Sequence, residues 1–358
     1  MKVLFSILLI TFISNSSFAE KNQSLVEKYN LYGNEGKNRN RVTVDVTTQR
    51  GQRSQDFLDA ANTGNMQLVE QIIKESQDSN NALRNLLVNS ILYGYTRAVE
   101  LILNSGKGTI DVNTVYEIYP DVKTSENNVF TALEVASRVG ASKINCTSAD
   151  SGDVPVKMVK LLLLLGADVH FKDYYEETAL SLAAYCGGLE MVKTLIDHDK
   201  SQAGAKDRSG CTPFIQSVDG YTNRGTDLAL VDFLLKTEGN IDISCRFGNY
   251  GGTENMTALM IASKSYYKDT LELVKYLLDH DANINLVNSI GQTALMIAIA
   301  NENFDVAKLL IEKSETSGLN IQDKYERTAL DYALKGGNAS EFIEIQKQLI
   351  QSGALSGI

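Results

Sequence analysis

Glu177-Thr-Ala-Leu-Ser-Leu-Ala-Ala-Tyr-Cys-Gly-Gly-Leu-Glu-Met-Val-Lys-Thr-Leu-Ile196 is the stretch that decides the fold. It spells helix, turn, helix. Thr178 stands where an N-cap belongs, because its hydroxyl can accept a bond from an unpaired first-turn N–H. Leu180, Leu182 and Ala183 follow at helical spacing. Gly187-Gly188 breaks the first helix, and Met191, Val192, Leu195 and Ile196 give the second an apolar stripe. Ala183 and Ala184 leave room for a neighbouring helix to approach. Two helices this short cannot bury both faces alone, so copies are expected on each side.

The copies are there. Thr131, Thr178, Thr212, Thr257, Thr293 and Thr328 each open such a segment, at separations of 47, 34, 45, 36 and 35 residues. A basic period near 34 with two long insertions marks a repeat architecture. Thr257-Ala-Leu-Met-Ile-Ala262, Thr293-Ala-Leu-Met-Ile-Ala298 and Thr328-Ala-Leu-Asp-Tyr-Ala333, with closings such as Leu164-Leu-Gly-Ala-Asp-Val169, resemble the ankyrin family. That family's motif is Thr-Pro-Leu-His-x-Ala, then a Gly turn and Val-x-x-Leu-Leu. Two degenerate copies precede, around Phe57–Ile73 and Leu86–Ile102, so the resemblance covers roughly residues 54–355, about eight repeats. It implies an all-α solenoid of paired antiparallel helices with β-hairpin-like fingers. The chain departs from the motif at its His, replaced by Glu134, Ser181, Ile215, Met260, Met296 and Asp331. The resemblance gives that His a part in tying neighbouring repeats together, so those ties need another source here.

The first residues read differently. Lys2, an apolar run from Val3 to Ile13 and the small residues Ser17 and Ala19 form a secretory signal peptide over residues 1–19. The run is too short for a comfortable membrane span, so no span is expected after cleavage. Residues 20–53 are a polar linker in which Val42 to Val46 alternates like a strand, and 54–358 are the repeat domain. Composition is ordinary for a folded domain, with 43% hydrophobic and 22% charged residues. The net charge of −10 and the lack of a clustered basic stripe exclude a nucleic-acid binder. The expected location is periplasmic or secreted.

Four cysteines, Cys146, Cys186, Cys211 and Cys245, permit three pairings. Cys186 and Cys211 fall at opposite ends of a helix, beyond disulfide reach. Repeat position favours Cys146–Cys186 with Cys211–Cys245, the alternative being four small buried thiols.

No catalytic constellation emerges. His170, His198 and His280 are the only histidines, and the last two occupy equivalent turn positions. No Cys pair has zinc spacing, no phosphate loop is complete, and no metal or cofactor is expected. An enzyme with its site in the Gly140–Pro155 or Arg246–Glu254 insertions is the alternative reading, and neither insertion offers a His. What remains is surface. The resemblance implies that partners are held by finger tips and by the exposed side of the first helices. By position these are Phe130, Arg138, Tyr175, Tyr185, Lys264, Tyr325 and Arg327. Insertions in the fifth and sixth repeats add Tyr221, Phe247, Tyr250, Tyr266 and Tyr267. Tyr and Arg are favoured anchors because they bury much area at low entropy cost. The expected function is an exported scaffold that binds another protein, without catalysis.

Overall fold

The computed structural model describes residues 42–43, 56–61, 63–76, 80–92, 94–105, 111–114, 116–117, 129–139, 154–186, 188–247, 254–265, 267, 269–337 and 339–357. The described residues fall into two compact units, those within 1–142, 149–174 and 193–199 in the first and the other described residues in the second.

In the first unit a helical stretch at 56–61 is followed by α1 (Met66–Ser76), α2 (Asn80–Leu92) and α3 (Thr96–Ser105). Next come α4 (Ala132–Val139) and α5 (Val154–Leu164). First helices stack on first helices (α2 on α4) and second on second (α1 on α3, α3 on α5). This is how paired short helices bury two faces each. A small sheet edges the unit: β1 (Val42–Thr43) pairs parallel with β2 (Tyr116–Glu117), which pairs antiparallel with β3 (Val129–Phe130). The polar leader therefore contributes a strand. The leucine run at 161–165 is only partly core. Leu162 and Leu163 are buried while Leu164 faces solvent, because five successive residues at 3.6 per turn cannot share one face.

The second unit holds α6 (Ala179–Cys186) and then α7 (Leu189–His198), whose last residues are assigned to the first unit. After a short 3-10 turn come α8 (Pro213–Arg224), α9 (Leu228–Glu238), β4 (Ser244–Phe247), β5 (Glu254–Thr257), α10 (Ala258–Lys264) and α11 (Thr270–Asp279). The chain continues through α12 (Ala294–Ala300), α13 (Phe304–Lys313), α14 (Thr316–Leu319), α15 (Ala329–Lys335) and α16 (Ser340–Gln351). The stack runs α6, α8, α10, α12, α15 on one side and α11, α13, α16 on the other. The inserted residues Asp219–Gly225 do not loop out. They extend α8, which ends on Gly225 in the left-handed region. Tyr221 is consequently buried, with its hydroxyl donating to Asp269 O at 3.4 Å.

Except at Thr212, which precedes Pro213 and makes no side-chain cap bond, the recurring threonines act as caps. Thr178 Oγ1 accepts from Ser181 N at 3.3 Å, Thr257 Oγ1 from Met260 N at 3.4 Å, and Thr293 Oγ1 from Met296 N at 3.3 Å. Where the motif's His is an acid, it closes a capping box. Thr131 N donates to Glu134 Oε2 and Thr328 N to Asp331 Oδ2, both at 2.8 Å. Cross-repeat ties move to the turn after each second helix. Asn113 Oδ1 accepts from Asp168 N at 2.7 Å, Asp242 Oδ1 from Asn283 N at 2.9 Å, and Asn320 Oδ1 from Leu355 N at 2.7 Å. Cys211 and Cys245 are joined as expected. Cys186 is buried, and Cys146 lies outside the described residues.

Candidate protein-binding surface

Three fingers of the second unit each turn on one side chain, five residues before the repeat threonine. Asp207 Oδ1 accepts from Ser209 N at 2.8 Å and Cys211 N at 2.9 Å. Asn288 Oδ1 accepts from Ile290 N at 3.1 Å and Gln292 N at 2.9 Å. Asp323 Oδ1 accepts from Tyr325 N at 2.8 Å and Arg327 N at 3.0 Å. A short polar side chain that bonds the backbone two residues on replaces a regular turn and stiffens it. An Asp or Asn five residues before the threonine recurs at Asp173, Asp207, Asn288 and Asp323 and is the signal that position-by-position motif matching missed. Successive fingers are also joined by their backbones: Arg208 N donates to Tyr175 O at 2.8 Å, Arg246 N to Ser209 O at 2.9 Å, and Lys324 N to Ile290 O at 2.9 Å. The tips form one braced edge.

At the tips, Gly210 and Gly291 take positive φ, as glycine does freely. Two sister fingers place Glu176 (φ 59°) and Glu326 (φ 63°) in the same region, directly after Tyr175 and Tyr325. A side chain there costs roughly 1 kcal/mol. Tyr175 and Tyr325 are 40% and 58% exposed. Tyr325 lies under two cations, Lys324 Nζ at 5.0 Å and Arg327 Cζ at 4.7 Å from its ring centre.

Arg327 itself is not a free handle. Its Nε and Nη2 donate to Asp323 Oδ2 at 2.9 and 2.6 Å, and Nη2 also reaches Tyr332 Oη at 2.8 Å. Burial pushes the Asp323 carboxyl upward, but the Arg327 fork, the Tyr332 hydroxyl and the two backbone N–H groups outweigh it and hold the group at about 2. The fork braces the finger, so Arg327 is an internal strut and the expectation of a contact residue is corrected.

Other expected contact residues also change. Phe130 is buried, because β3 runs straight into α4 and turns the ring into the core. Tyr267 is half-buried, its hydroxyl so close to Gly225 that a methyl there would sit 2.0 Å away. It packs the turn of α10 against that of α8. Tyr185 is half-buried at the end of α6, and Lys264 is exposed at the end of α10. Tyr250 and Tyr266 lie outside the described residues, as do the side chains of Arg138 and Phe247. The structure thus brings Tyr175 and Tyr325 to one braced edge and removes Phe130, Tyr221 and Arg327 from it.

One half-buried acid was not anticipated. Glu238, the last residue of α9, reaches Phe214 N in the first turn of α8. Burial raises its carboxyl to about 7, against the opposing pull of Thr212, the Phe214 N–H and Lys206. Burial likewise pushes Asp207 up, against its bonds from Cys211 and Ser209. The folded state therefore holds a proton that an unfolded carboxyl, with an ordinary value of 4.5, has lost. Stability falls as pH rises from about 4.5 to about 7. Discounted for partial exposure, the loss is about 1–2 kcal/mol. Glu238→Gln is expected to flatten this slope and raise the thermal midpoint at pH 8, measured by calorimetry across pH 5 to 8. A slope unchanged by the substitution would assign it elsewhere.

Among the described residues, no three His, Cys, Asp or Glu side chains come together to hold a metal ion, and no helix is long and apolar enough to cross a membrane. The architecture and its braced fingers define a class: a repeat protein of stacked helical hairpins that offers an edge and a face. A model of ankyrin repeats matches three times, over residues 146–246, 221–318 and 259–355. The chain belongs to the ankyrin repeat family. It is similar to YahD, named as an ankyrin repeat protein of Escherichia coli (strain K12), with 30% identity over 213 residues covering 58% of this chain and 94% of that one. It is 28% identical over 211 residues to neurogenic locus notch homolog protein 1 of Xenopus laevis, covering 59% of this chain but only 8% of that protein's length. Among solved structures, the ankyrin repeat domain of Bcl-3 superposes with a TM-score of 0.50 at 19% identity, over 73% of this chain and 97% of that one. That likeness is one of fold.

Proposed function

We propose that this chain is an exported scaffold that binds another protein through its finger tips and the adjoining helix face, with no catalysis of its own. The observation that carries the proposal is the braced finger edge. Its tips are locked by Asp207, Asn288 and Asp323, linked backbone to backbone, and topped by exposed Tyr175 and Tyr325. A rigid aromatic on a rigid turn loses little entropy on binding, which favours its use as an anchor. Export is supported by the leader over residues 1–19 and by the Cys211–Cys245 bond, which persists in oxidising compartments such as the periplasm or the medium.

The chain from Glu20, and its Tyr175→Ala/Tyr325→Ala variant, would be used as baits on envelope and secreted fractions. The wild type is expected to retain a stoichiometric partner. The folded variant is expected to lose it, at a cost of about 2 kcal/mol for each anchor. Equal recovery by both baits would overturn the finger-tip reading.

A further inference from the structure

We infer that the outward face of the α15–α16 hairpin joins two copies of this chain tail to tail. Repeat proteins need end hairpins with a polar outer face, because an internal face left open is apolar. Here the first and last described hairpins differ. In the leading hairpin, Ala60-Ala61 and Gly64 align with Ala183-Ala184 and Gly187. This places the exposed acids Asp56 and Asp59 where α6 has the buried Ala179 and Leu182. That end is built to face water.

The α15–α16 hairpin is not. Leu334 stands six residues after Thr328, as Ile299 stands six after Thr293, and Ile299 is fully buried. Ile343 and Ile350 match Phe304 and Ile311 of α13, where Phe304 meets Phe342 of the following hairpin edge-on at 5.0 Å and Ile311 is buried. Yet Leu334, Ile343 and Ile350 are 49%, 36% and 61% exposed. Ile343 and Ile350 are seven residues apart and so lie on one face of α16. Phe342, against Phe304, and Glu341, which feels the charge of Lys308, mark the side of α16 turned toward α13. The isoleucines continue the hairpin-to-hairpin interface one step past its last described member.

The chemistry of the two ends selects the occupant. Stacking this face on the leading hairpin of another copy would bury Asp56 and Asp59 against hydrocarbon, which is costly. A second α15–α16 face offers matching apolar side chains. α16 also exposes both an acid and a base, Glu344 and Lys347, so opposite charges are available on each copy. Such a contact is closed, and association stops at two.

The test is sedimentation equilibrium on the chain from Glu20 over a concentration series, without reductant. The expected result is a reversible monomer–dimer equilibrium whose mass never exceeds twice the monomer. Ile350→Glu and Leu334→Glu, both at exposed positions, are expected to raise the dissociation constant by roughly tenfold or more, equivalent to about 1.4 kcal/mol, while leaving the thermal midpoint in place. Leu68→Glu, on the leading hairpin, should change nothing. A monomer at every concentration, masses growing beyond the dimer, or a dimer indifferent to both end-face variants would each overturn the inference.

Discussion

Removing the Cys211–Cys245 bond is expected to lower stability by roughly 3–4 kcal/mol, the entropy of closing a loop of that size in the unfolded chain. The two residues are 34 apart, close to one full repeat. Cys211 immediately precedes Thr212 at the start of α8, and Cys245 lies in β4, which pairs with β5 from Ser244↔Thr257 to Phe247↔Glu254. The bond therefore fastens the enlarged finger to the finger before it. It stands next to the backbone link from Arg246 N to Ser209 O. A Cys211→Ala/Cys245→Ala variant keeps two small apolar side chains at buried sites, so the loss reports the constraint more than the packing. The thermal midpoint should fall by about 8–12 °C. Calorimetry with and without a thiol-free reductant is the measurement. Reductant should move the wild type to the variant's midpoint and leave the variant unmoved. Hydrogen exchange should then rise over 244–247 and 254–257 before it rises in α12 and α13, because a hairpin edge opens more easily than stacked helices. A wild type indifferent to reduction would mean that the backbone links alone hold the finger.

The repeat frame was legible because it rests on local chemistry. A threonine cap, two small residues, a glycine break and a leucine pair each have one structural use, and six copies in phase leave no other reading. The Cys211–Cys245 pairing followed from the same frame. What sequence position could not give was the direction of individual side chains. Phe130 and Tyr325 both lie just ahead of a first helix, yet one is buried and the other is the most exposed tyrosine tip. The difference is the strand pairing of β3 with β2, a contact between residues 116 and 130 across a long connection. Arg327 read as a contact residue by type, but an acid at the turn position captures its fork. Asp207, Asn288 and Asp323 went unread because their importance lies in backbone N–H groups that have no signature of their own.

Gly220 separates sequence reasoning from structural reasoning by the sign of one substitution. It lies inside α8, where glycine costs about 1 kcal/mol relative to alanine, so helix propensity alone predicts that Gly220→Ala stabilises the protein. The structure predicts the reverse. A methyl at this position would lie 2.2 Å from the carbonyl oxygen of Tyr185 and 2.9 Å from its carbon. Both are backbone atoms of α6, which is held by buried Leu180, Leu182, Ala183 and Ala184 and cannot yield as a flexible side chain would. Ala183 and Ala184 keep the two helices close, and Gly220 is the matching absence of bulk on α8. Separating them would also pull Tyr221 from its site and loosen the turn where Ser265 Oγ donates to Thr222 O at 2.9 Å. The net loss expected for Gly220→Ala is about 2–3 kcal/mol, read from the urea midpoint at an unchanged slope. Gly204, where an added methyl meets nothing within 4 Å, is the control, and Gly204→Ala should be neutral or slightly stabilising. If Gly220→Ala proved as benign as Gly204→Ala, the close approach of α6 and α8 would not be a constraint, and the extension of α8 through Asp219–Arg224 would owe nothing to the glycine.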